Sequence, residues 1–228
     1  NYQLSEYIMG LLSDTNTFSP QMDTSTHVFF KRVDINTESL PLPESIKDSV
    51  LGIVNAVGHN AGINKFLFEG APGTGKTEYV RWLAQYLKKT LYHVRATDNQ
   101  GHAATGSERL TYFQLSQRFL QKGNVLILFD EIEDVFPVGD RGLGSLESLF
   151  RPRRAVAGKL FINSVLESNL VPTIWVTNEI GQIEKAYLRR FDFSFEMAIP
   201  PVNVRRDILN NYLRSYRIPD ETLHHLAQ

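Results

Sequence analysis

Short apolar runs alternate with helical patterns along most of this chain. The runs have the length and composition of buried strands, and they lie at Lys65–Glu69, Leu91–Arg95, Val125–Phe129, Thr173–Val176 and Phe193–Ile199. Between them, helices are predicted over Lys76–Lys88, Arg109–Gln121 and Gly158–Glu167. A run such as VLILF, which is apolar at every position, is typical of a parallel sheet that is covered on both faces. The alternation therefore predicts an α/β fold in which βαβ units form a parallel sheet.

The segments on either side differ in character and divide the chain into three predicted parts. Residues 1–42 are interpreted as a short amphipathic helix, Tyr2–Leu12, followed by a polar linker. Residues 43–200 hold the alternation and begin with a helical pattern after Pro43. Residues 201–228 are predicted to be helical and to open a second subdomain that is truncated at Gln228. Because the first residue is Asn1, we expect the chain to be an excerpt of a longer protein.

Composition narrows the classes of function that fit. The hydrophobic content of 42% and the charged content of 21% are ordinary for a soluble globular domain. A formal net charge of −1 provides no field that would draw the domain to nucleic acid or to an anionic membrane. The absence of cysteine excludes disulfides, Cys-ligated zinc and thiol catalysis, and it favours a reducing compartment, the cytoplasm. No apolar run approaches the roughly 20 residues of a membrane-spanning helix, so no membrane segment is predicted.

The sequence GAPGTGKT follows the first strand run and matches the pattern G-x-x-x-x-G-K-[ST]. A plain glycine-rich turn is one interpretation. The other is a loop whose successive N–H groups face the phosphates of a nucleotide, since glycines allow approaches that a Cβ would block. The strand before the loop and the helix after it favour the second, with Lys76 reaching the β- and γ-phosphates. The predicted nucleotide-binding residues are Gly70, Ala71, Pro72, Gly73, Thr74, Gly75, Lys76, Thr77 and Asp130.

Two acidic residues, Asp130 and Glu131, directly follow the buried run VLILF. They are predicted to lie at the carboxyl edge of the sheet, where open α/β sheets bind their ligands. There Asp130 would hold Mg²⁺ together with the Thr77 hydroxyl, and Glu131 would deprotonate an attacking water. The alternative for each is an acidic helix cap. Glu133 and Asp134 continue the acidic run and are predicted to be solvated or paired.

Polar residues end two later segments. Asn178 ends the run TIWVTN, and it is either a turn residue or an amide that bonds the γ-phosphate or the water. Arg189 and Arg190 lie in YLRRFDF. Paired arginines usually form a solvated or salt-bridged face, but a guanidinium supplied to the phosphate of a neighbouring subunit stabilises transition-state charge.

The order of these features resembles the ATPase core of the AAA+ superfamily, and RRFD is similar to the AAA clade proper. The resemblance covers about Pro43–Arg217. It implies a P-loop NTPase fold, an αβα sandwich with a five-stranded parallel sheet, followed by the start of a helical lid. By the same resemblance Gly70–Thr77 is the Walker A loop, Asp130 and Glu131 are the Walker B pair, Asn178 is sensor 1 and Arg190 is the arginine finger, with Arg189 as the alternative.

The resemblance also implies a function. Members hydrolyse ATP with Mg²⁺, typically assemble as rings that are often hexamers, and remodel another macromolecule. We therefore expect a homo-oligomeric ATPase with an arginine acting in trans, and a protein client that the sequence does not identify.

Three features depart from the family pattern. Phe193 stands where many members have a second arginine, the loop DNQGHAATGS lacks the aromatic residue of protein-threading members, and no sensor 2 arginine is assignable.

Several alternatives remain open at this point. One is a slowly hydrolysing, ATP-dependent assembly switch, which the missing aromatic favours and the intact acidic pair disfavours. A nucleic-acid AAA+ machine is disfavoured by the neutral charge, and a small-molecule kinase needs no RRFD sequence. The long segment Phe136–Arg154, which ends in RPRR, is either a solvated loop or a surface that faces the channel of a ring.

Overall fold

The computed structural model of the protein describes residues 30–33, 64–97, 101–136, 152–216 and 218–228, with the backbone alone for 152–157. Its strands are β1 (Phe30–Arg32), β2 (Lys65–Glu69), β3 (Thr90–Val94), β4 (Val125–Phe129), β5 (Thr173–Thr177) and β6 (Phe193–Glu196). Its helices are α1 (Lys76–Tyr86), α2 (Gly106–Leu120), α3 (Pro152–Glu167), α4 (Lys185–Leu188), α5 (Val202–Tyr212) and α6 (Asp220–Leu226). Short 3-10 helices lie at Ile132–Asp134 and Ile180–Gln182.

The strands form one sheet in the order β1-β3-β4-β5-β2-β6. All neighbouring pairs are parallel except β1 and β3, which are antiparallel. The predicted five-stranded parallel sheet is therefore confirmed. It carries one additional edge strand that the sequence did not predict, because a three-residue segment with two charged positions shows no strand pattern. Phe30 nevertheless anchors β1, since it is buried and packs edge-to-face on Tyr92.

Helices cover both faces of the sheet, as the fully apolar strands require. On one face Ile127 and Phe129 of β4 belong to a core that includes Phe113 of α2 and Val165 of α3. On the other face the alternating residues of β4 join a core with Tyr79, Val80, Leu83 and Ala84 of α1. Burial of such side chains contributes roughly 1.5–3 kcal/mol each. The architecture is an αβα sandwich.

The boundaries of the predicted strands and helices agree with the sequence patterns to within three residues, except at the start of α3. Helix α1 ends at Tyr86 rather than at Lys88, because Lys88 adopts a left-handed conformation with φ of 53°. Such a residue commonly ends a helix, and the Lys89 amide bonds the Ala84 carbonyl 2.9 Å away as in a Schellman motif. Helix α3 begins at Pro152 rather than near Gly158, since proline is compatible with the first turn of a helix.

Several predictions lie wholly or partly outside the described residues. These are the helix at Tyr2–Leu12, the helical pattern after Pro43, and the part of the long loop at residues 137–151. The segment after Pro201 is helical as predicted, and its helices α5 and α6 contact each other. The division at residues 42 and 200 into separate parts stays a prediction.

Two carboxylates face each other at the carboxyl edge of the sheet. Glu69 and Glu196 are register partners on β2 and β6. Burial and then the charge of Glu196 raise the pKa of Glu69, which a hydrogen bond from Ser194 partly opposes. A carboxyl group whose pKa is raised in the folded state destabilises the folded protein as the pH rises through that pKa, because the group ionises more readily in the unfolded state.

We therefore expect Glu69→Gln to stabilise the protein at neutral pH. Solvent screens this pair, so the gain in the free energy of unfolding should be small, about 0.3 kcal/mol, or about 1 °C in Tm. The gain should vanish near pH 3.5, below the carboxyl pKa of roughly 4.3 in the unfolded chain. Thermal melts of both proteins at the two pH values measure it. A gain of the same size at both would contradict an electrostatic origin.

Candidate nucleotide-binding site

The sheet order brings three separate loops together. The phosphate loop follows β2, Asp130 and Glu131 follow β4, and Asn178 follows β5. Because β5 lies between β2 and β4 and all three strands are parallel, their carboxyl ends meet at one edge. Open α/β sheets bind ligands at this edge, where the strand order reverses. The predicted residues are thus assembled by the sheet and not by the local sequence.

Glycines shape the phosphate loop at two kinds of position. Gly73 and Gly75 have φ of 80° and 88°, in the left-handed region that favours glycine. Gly70 has φ of 150°, and a Cβ there would lie 2.3 Å from the Met197 carbonyl oxygen. Gly75 also caps α1, so the loop leads directly to the positive end of an 11-residue helix. The loop therefore combines left-handed glycines with a helix N-terminus, the two features on which phosphate-binding loops rely.

The Lys76 ammonium lies folded over the loop. Its Nζ donates to the carbonyl oxygens of Gly70 at 2.7 Å and Ala71 at 2.9 Å, and the residue is 5% exposed. Burial lowers the pKa of Lys76, while the nearby carboxylates of Asp130 and Glu133 act in the opposite direction. The site thus holds a partly desolvated cation beside the loop, positioned for a polyanionic ligand.

Two oxygen-bearing side chains that could bind a metal ion line the same cleft as this cation. The Thr77 hydroxyl donates to Asp130 Oδ2 at 2.7 Å, which joins the start of α1 to the end of β4. The other carboxylate oxygen of Asp130 accepts from the Glu131 amide at 2.9 Å. Mg²⁺ takes hard oxygen ligands and is usually held by one or two protein groups plus substrate phosphates and water. The adjacent hydroxyl and carboxylate fit that ion.

Glu131 has an unusual backbone conformation. Its φ of 50° and ψ of 56° are left-handed, a conformation that costs a non-glycine residue roughly 1–2 kcal/mol. This residue starts the 3-10 helix Ile132–Asp134, and its side chain is exposed at the cleft. Non-glycine residues persist in such conformations where the surrounding structure fixes them, which happens often at functional sites.

Asn178 is tied to the acidic segment through Glu133. Glu133 Oε1 accepts a hydrogen bond from the Thr177 hydroxyl at 3.0 Å and another from the backbone N–H of Asn178. The end of β5 is therefore fixed against the 3-10 helix that follows β4. Asp134 forms an ion pair with Arg109. Both acidic residues are paired, as the sequence interpretation allowed.

The cleft at this edge has a volume of about 360 Å³. It is lined by residues from all three loops: Pro72, Gly73, Gly75, Lys76, Thr77, Glu78, Asp130, Glu131 and Asn178. Arg190 is not among these lining residues. It forms an ion pair with Glu167 at the end of α3, and Arg189 beside it is exposed. The structure therefore brings the predicted residues from all three loops to one cleft. Gly70, Ala71 and Thr74 belong to the phosphate loop but do not line the cleft, and the arginines lie outside it. Their roles, and those of the residues in the cleft, stay predictions.

Arg109 is a residue of this region that the sequence interpretation missed. Its side chain is 3% exposed, and it donates hydrogen bonds to the carbonyl oxygens of Asp130 and Glu131. The spacing of apolar residues along α2 could have identified Arg109 as buried. Arg109 lies four residues before Phe113 and thus shares the buried face of α2, where a charged residue needs buried partners.

Comparison with models of protein families shows to which family the chain belongs. The model of the family described as "ATPase family associated with various cellular activities (AAA)" matches residues 66–199, more than half of the chain. The chain belongs to the AAA family of ATPases. This AAA domain therefore binds ATP and hydrolyses it to ADP and phosphate.

Curated relatives of this AAA domain are longer proteins. The ATP-dependent zinc metalloprotease FtsH 1 of Alkaliphilus metalliredigens is 31% identical over 164 residues, which are 70% of this chain and 27% of that protein. A putative 26S proteasome regulatory subunit homolog of Methanothermobacter thermautotrophicus is 27% identical over 157 residues, 65% of this chain and 39% of that protein. This chain thus spans well under half of each of these two relatives.

Solved structures with the same fold include two from other AAA proteins. The FIGL-1 AAA domain superposes with a TM-score of 0.59 at 20% identity, covering 97% of this chain and 71% of that one. A structure that explains katanin self-assembly gives 0.59 at 17% identity, covering 93% and 73%. At these identities the likeness establishes the AAA fold. Across the described ranges, none of the helices has both the length and the apolar character needed to cross a bilayer.

Proposed function

We propose that this AAA domain is a Mg²⁺-dependent ATPase module that works as an oligomer and remodels a protein partner. The observation that carries the proposal is the contact between the Thr77 hydroxyl and the Asp130 carboxylate, 2.7 Å apart, in the cleft that Lys76 also lines. This set of groups has the chemistry to hold a triphosphate and its metal ion, and the Glu131 carboxylate lies at the same cleft.

ATP binding relies on the phosphate loop. The N–H groups between Gly70 and Thr77 donate to phosphate oxygens, and Lys76 exchanges its carbonyl partners for the β- and γ-phosphates. Phosphate oxygens are stronger acceptors for an ammonium than the peptide carbonyls that now hold it, since both partners are then charged. Thr77 and Asp130 would hold Mg²⁺, and the bound ion would neutralise negative charge on the phosphates.

Hydrolysis relies on residues at the ends of β4 and β5. Glu131 accepts a proton from a water whose oxygen attacks the γ-phosphorus, while the bond from that phosphorus to the β-phosphate oxygen breaks. Asn178 orients this water from the neighbouring strand end. Glu133 accepts hydrogen bonds from the Thr177 hydroxyl and from the backbone N–H of Asn178. These bonds hold the ends of β4 and β5 together during the step.

The oligomer supplies the remaining charge. Arg190, or Arg189 beside it, is presented to the γ-phosphate in the neighbouring subunit, since Arg190 does not line the cleft of its own subunit. The katanin structure concerns self-assembly, and the relatives named above include a proteasome regulatory subunit homolog and an ATP-dependent protease. These relationships support an assembly that acts on proteins. The lack of cysteine fits a cytoplasmic location.

Hydrolysis by an enzyme whose sites are shared between subunits depends on protein concentration. We expect the ATPase rate per molecule to rise with concentration, in parallel with the mass measured by light scattering, and to disappear when EDTA removes Mg²⁺. The same measurement with Mg²⁺ restored is the control. A rate per molecule that stays flat while the mass stays monomeric would contradict the oligomeric mechanism, and a rate that survives EDTA would contradict the role of the metal.

A further inference from the structure

We propose that Arg109 is a positioning residue that holds Glu131 in the conformation needed for hydrolysis. The guanidinium makes three hydrogen bonds, and every acceptor belongs to the segment Asp130–Asp134. Nη2 donates to the Asp130 carbonyl, while Nη1 donates to the Glu131 carbonyl at 2.8 Å and to Asp134 Oδ1 at 2.6 Å. The inference rests on the function proposed above, in which Glu131 activates the water.

The two carbonyl bonds fix the backbone of Glu131. The Asp130 carbonyl belongs to the peptide group before Glu131, and the Glu131 carbonyl belongs to the peptide group after it. Binding both oxygens to one rigid, planar guanidinium therefore restrains φ and ψ of Glu131 together. These are the two angles that lie in the left-handed region, at 50° and 56°. Without the restraint, an L-residue relaxes toward the more favourable conformations at negative φ.

Burial shows that this contact is more than a surface ion pair. The Arg109 side chain is 3% exposed, whereas that of its charged partner Asp134 is 49% exposed. The guanidinium also lies 5.0 Å from the centre of the Phe129 ring, the last residue of β4. A pair between the two side chains alone would need no burial of the cation. The buried position is what lets the same group reach the carbonyls on both sides of Glu131.

Helix α2 is rigidly joined to the segment that it holds. Thr105 and Glu108 form a capping box at its N-terminus, so the turn that carries Arg109 is well defined. A Cβ at Gly106 would lie 2.4 Å from the Asp134 carbonyl oxygen, so the helix and the segment are in direct backbone contact. Arg109 has no hydrogen bond to the phosphate loop among its described contacts. It should therefore affect the hydrolysis step and leave nucleotide affinity nearly unchanged.

The test is Arg109→Lys, which keeps the charge but removes the planar fork. We expect kcat to fall 10- to 100-fold, because misplacement of a reacting group by about 1 Å can cost 10²-fold. The KM for ATP and the Kd for a fluorescent ADP should stay within about threefold of wild type. Arg118→Lys, the same change at an exposed position of α2, is the matched control and should keep the wild-type rate. A kcat for Arg109→Lys within twofold of wild type would overturn the inference.

A double-mutant cycle separates positioning from general damage. If Arg109 acts through the Glu131 carboxylate, Arg109→Lys should cause little further loss in a Glu131→Gln background, measured by single turnover with radiolabelled ATP. An equal fold-loss in both backgrounds would indicate a structural role and would overturn the inference. If Arg109→Lys does not fold, Asp134→Asn serves instead, since that side chain is half-exposed. Asp134→Asn removes the charged acceptor that helps to hold the guanidinium in place, and we expect kcat to fall three- to tenfold. An unchanged kcat would contradict the inference.

The outcomes distinguish this inference from the function on which it rests. If Glu131→Gln hydrolyses ATP as fast as wild type, the proposed role of Glu131 fails and the inference falls with it. If Glu131→Gln is inactive and Arg109→Lys is fully active, only the inference fails.

Discussion

Replacing Arg190 with alanine is expected to lower the ATPase rate of the assembled protein by about 10³-fold. An arginine supplied in trans to a transferring phosphoryl group contributes 10³–10⁵ in rate, because it neutralises charge that develops in the transition state. ATP binding should change little, since Arg190 does not line the cleft of its own subunit. Steady-state ATPase assays at a concentration where the protein is assembled measure the effect.

Stability should be largely unaffected by this change. Within its own subunit Arg190 pairs with Glu167, and the two side chains are 35% and 64% exposed. Exposed ion pairs contribute about 0–1 kcal/mol, so Tm should fall by at most about 2–4 °C. Arg189→Ala is the matched control, as it removes the neighbouring exposed arginine. If Arg189→Ala is the inactive variant and Arg190→Ala is not, the trans arginine is Arg189.

Mixing two inactive variants tests whether the arginine acts between subunits. Arg190→Ala subunits keep Glu131, and Glu131→Gln subunits keep Arg190. In a mixed assembly some interfaces combine the intact Glu131 of one subunit with the intact Arg190 of the next, so mixing should restore a measurable rate. Mixtures that stay as inactive as the separate variants, although light scattering shows co-assembly, would contradict action in trans.

The second large effect is expected for Glu131→Gln, which should lower kcat by 10²–10⁴-fold while ATP still binds. A general base contributes about this factor, and the amide has nearly the same shape but cannot take up the proton. Affinity for ATP should persist, because the phosphate loop, Lys76, Thr77 and Asp130 are all unchanged. Single-turnover hydrolysis and the Kd of a fluorescent nucleotide measure the two quantities separately.

Glu179→Gln is a suitable control for that substitution. Glu179 is an exposed carboxylate at the same edge of the sheet, one residue after Asn178, and does not line the cleft. It should hydrolyse ATP at the wild-type rate. A Glu131→Gln protein that keeps more than about a tenth of the wild-type kcat would exclude Glu131 as the general base. Loss of ATP binding together with hydrolysis would instead indicate that the substitution disrupts the cleft.

Local sequence was sufficient for the five parallel strands and for the glycine pattern of the phosphate loop. The run VLILF lies at Val125–Phe129 as predicted, because a strand buried on both faces must be apolar at every position. The loop GAPGTGKT has its glycines where the sequence pattern requires them, since Gly73 and Gly75 occupy backbone conformations that other residues disfavour. Both properties depend on neighbouring residues in the chain, and a pattern can therefore record them.

Residues that act over long sequence separations were harder to assign. Glu133 was interpreted as solvated or paired, and the fold shows which pair it makes, with the Thr177 hydroxyl and the Asn178 amide 44 and 45 residues later. The edge strand β1 gains its structure from pairing with β3, about 60 residues away, and three residues carry no pattern of their own. No role was assigned to Arg109 from the sequence, because two of its three acceptors are backbone carbonyls, which every residue possesses.

The sequence by itself determined the class of fold, the phosphate loop, and the acidic and amide groups that follow the strands. Those features follow from apolar periodicity and from backbone conformations, which are local properties of the chain. Only the tertiary structure decided that Arg109 donates to the carbonyl oxygens on both sides of Glu131, and that Arg190 pairs with Glu167 outside the cleft. Such contacts depend on the order β4-β5-β2 in the sheet and on the packing of α2 and α3 against it. That order is set by the burial of the whole core.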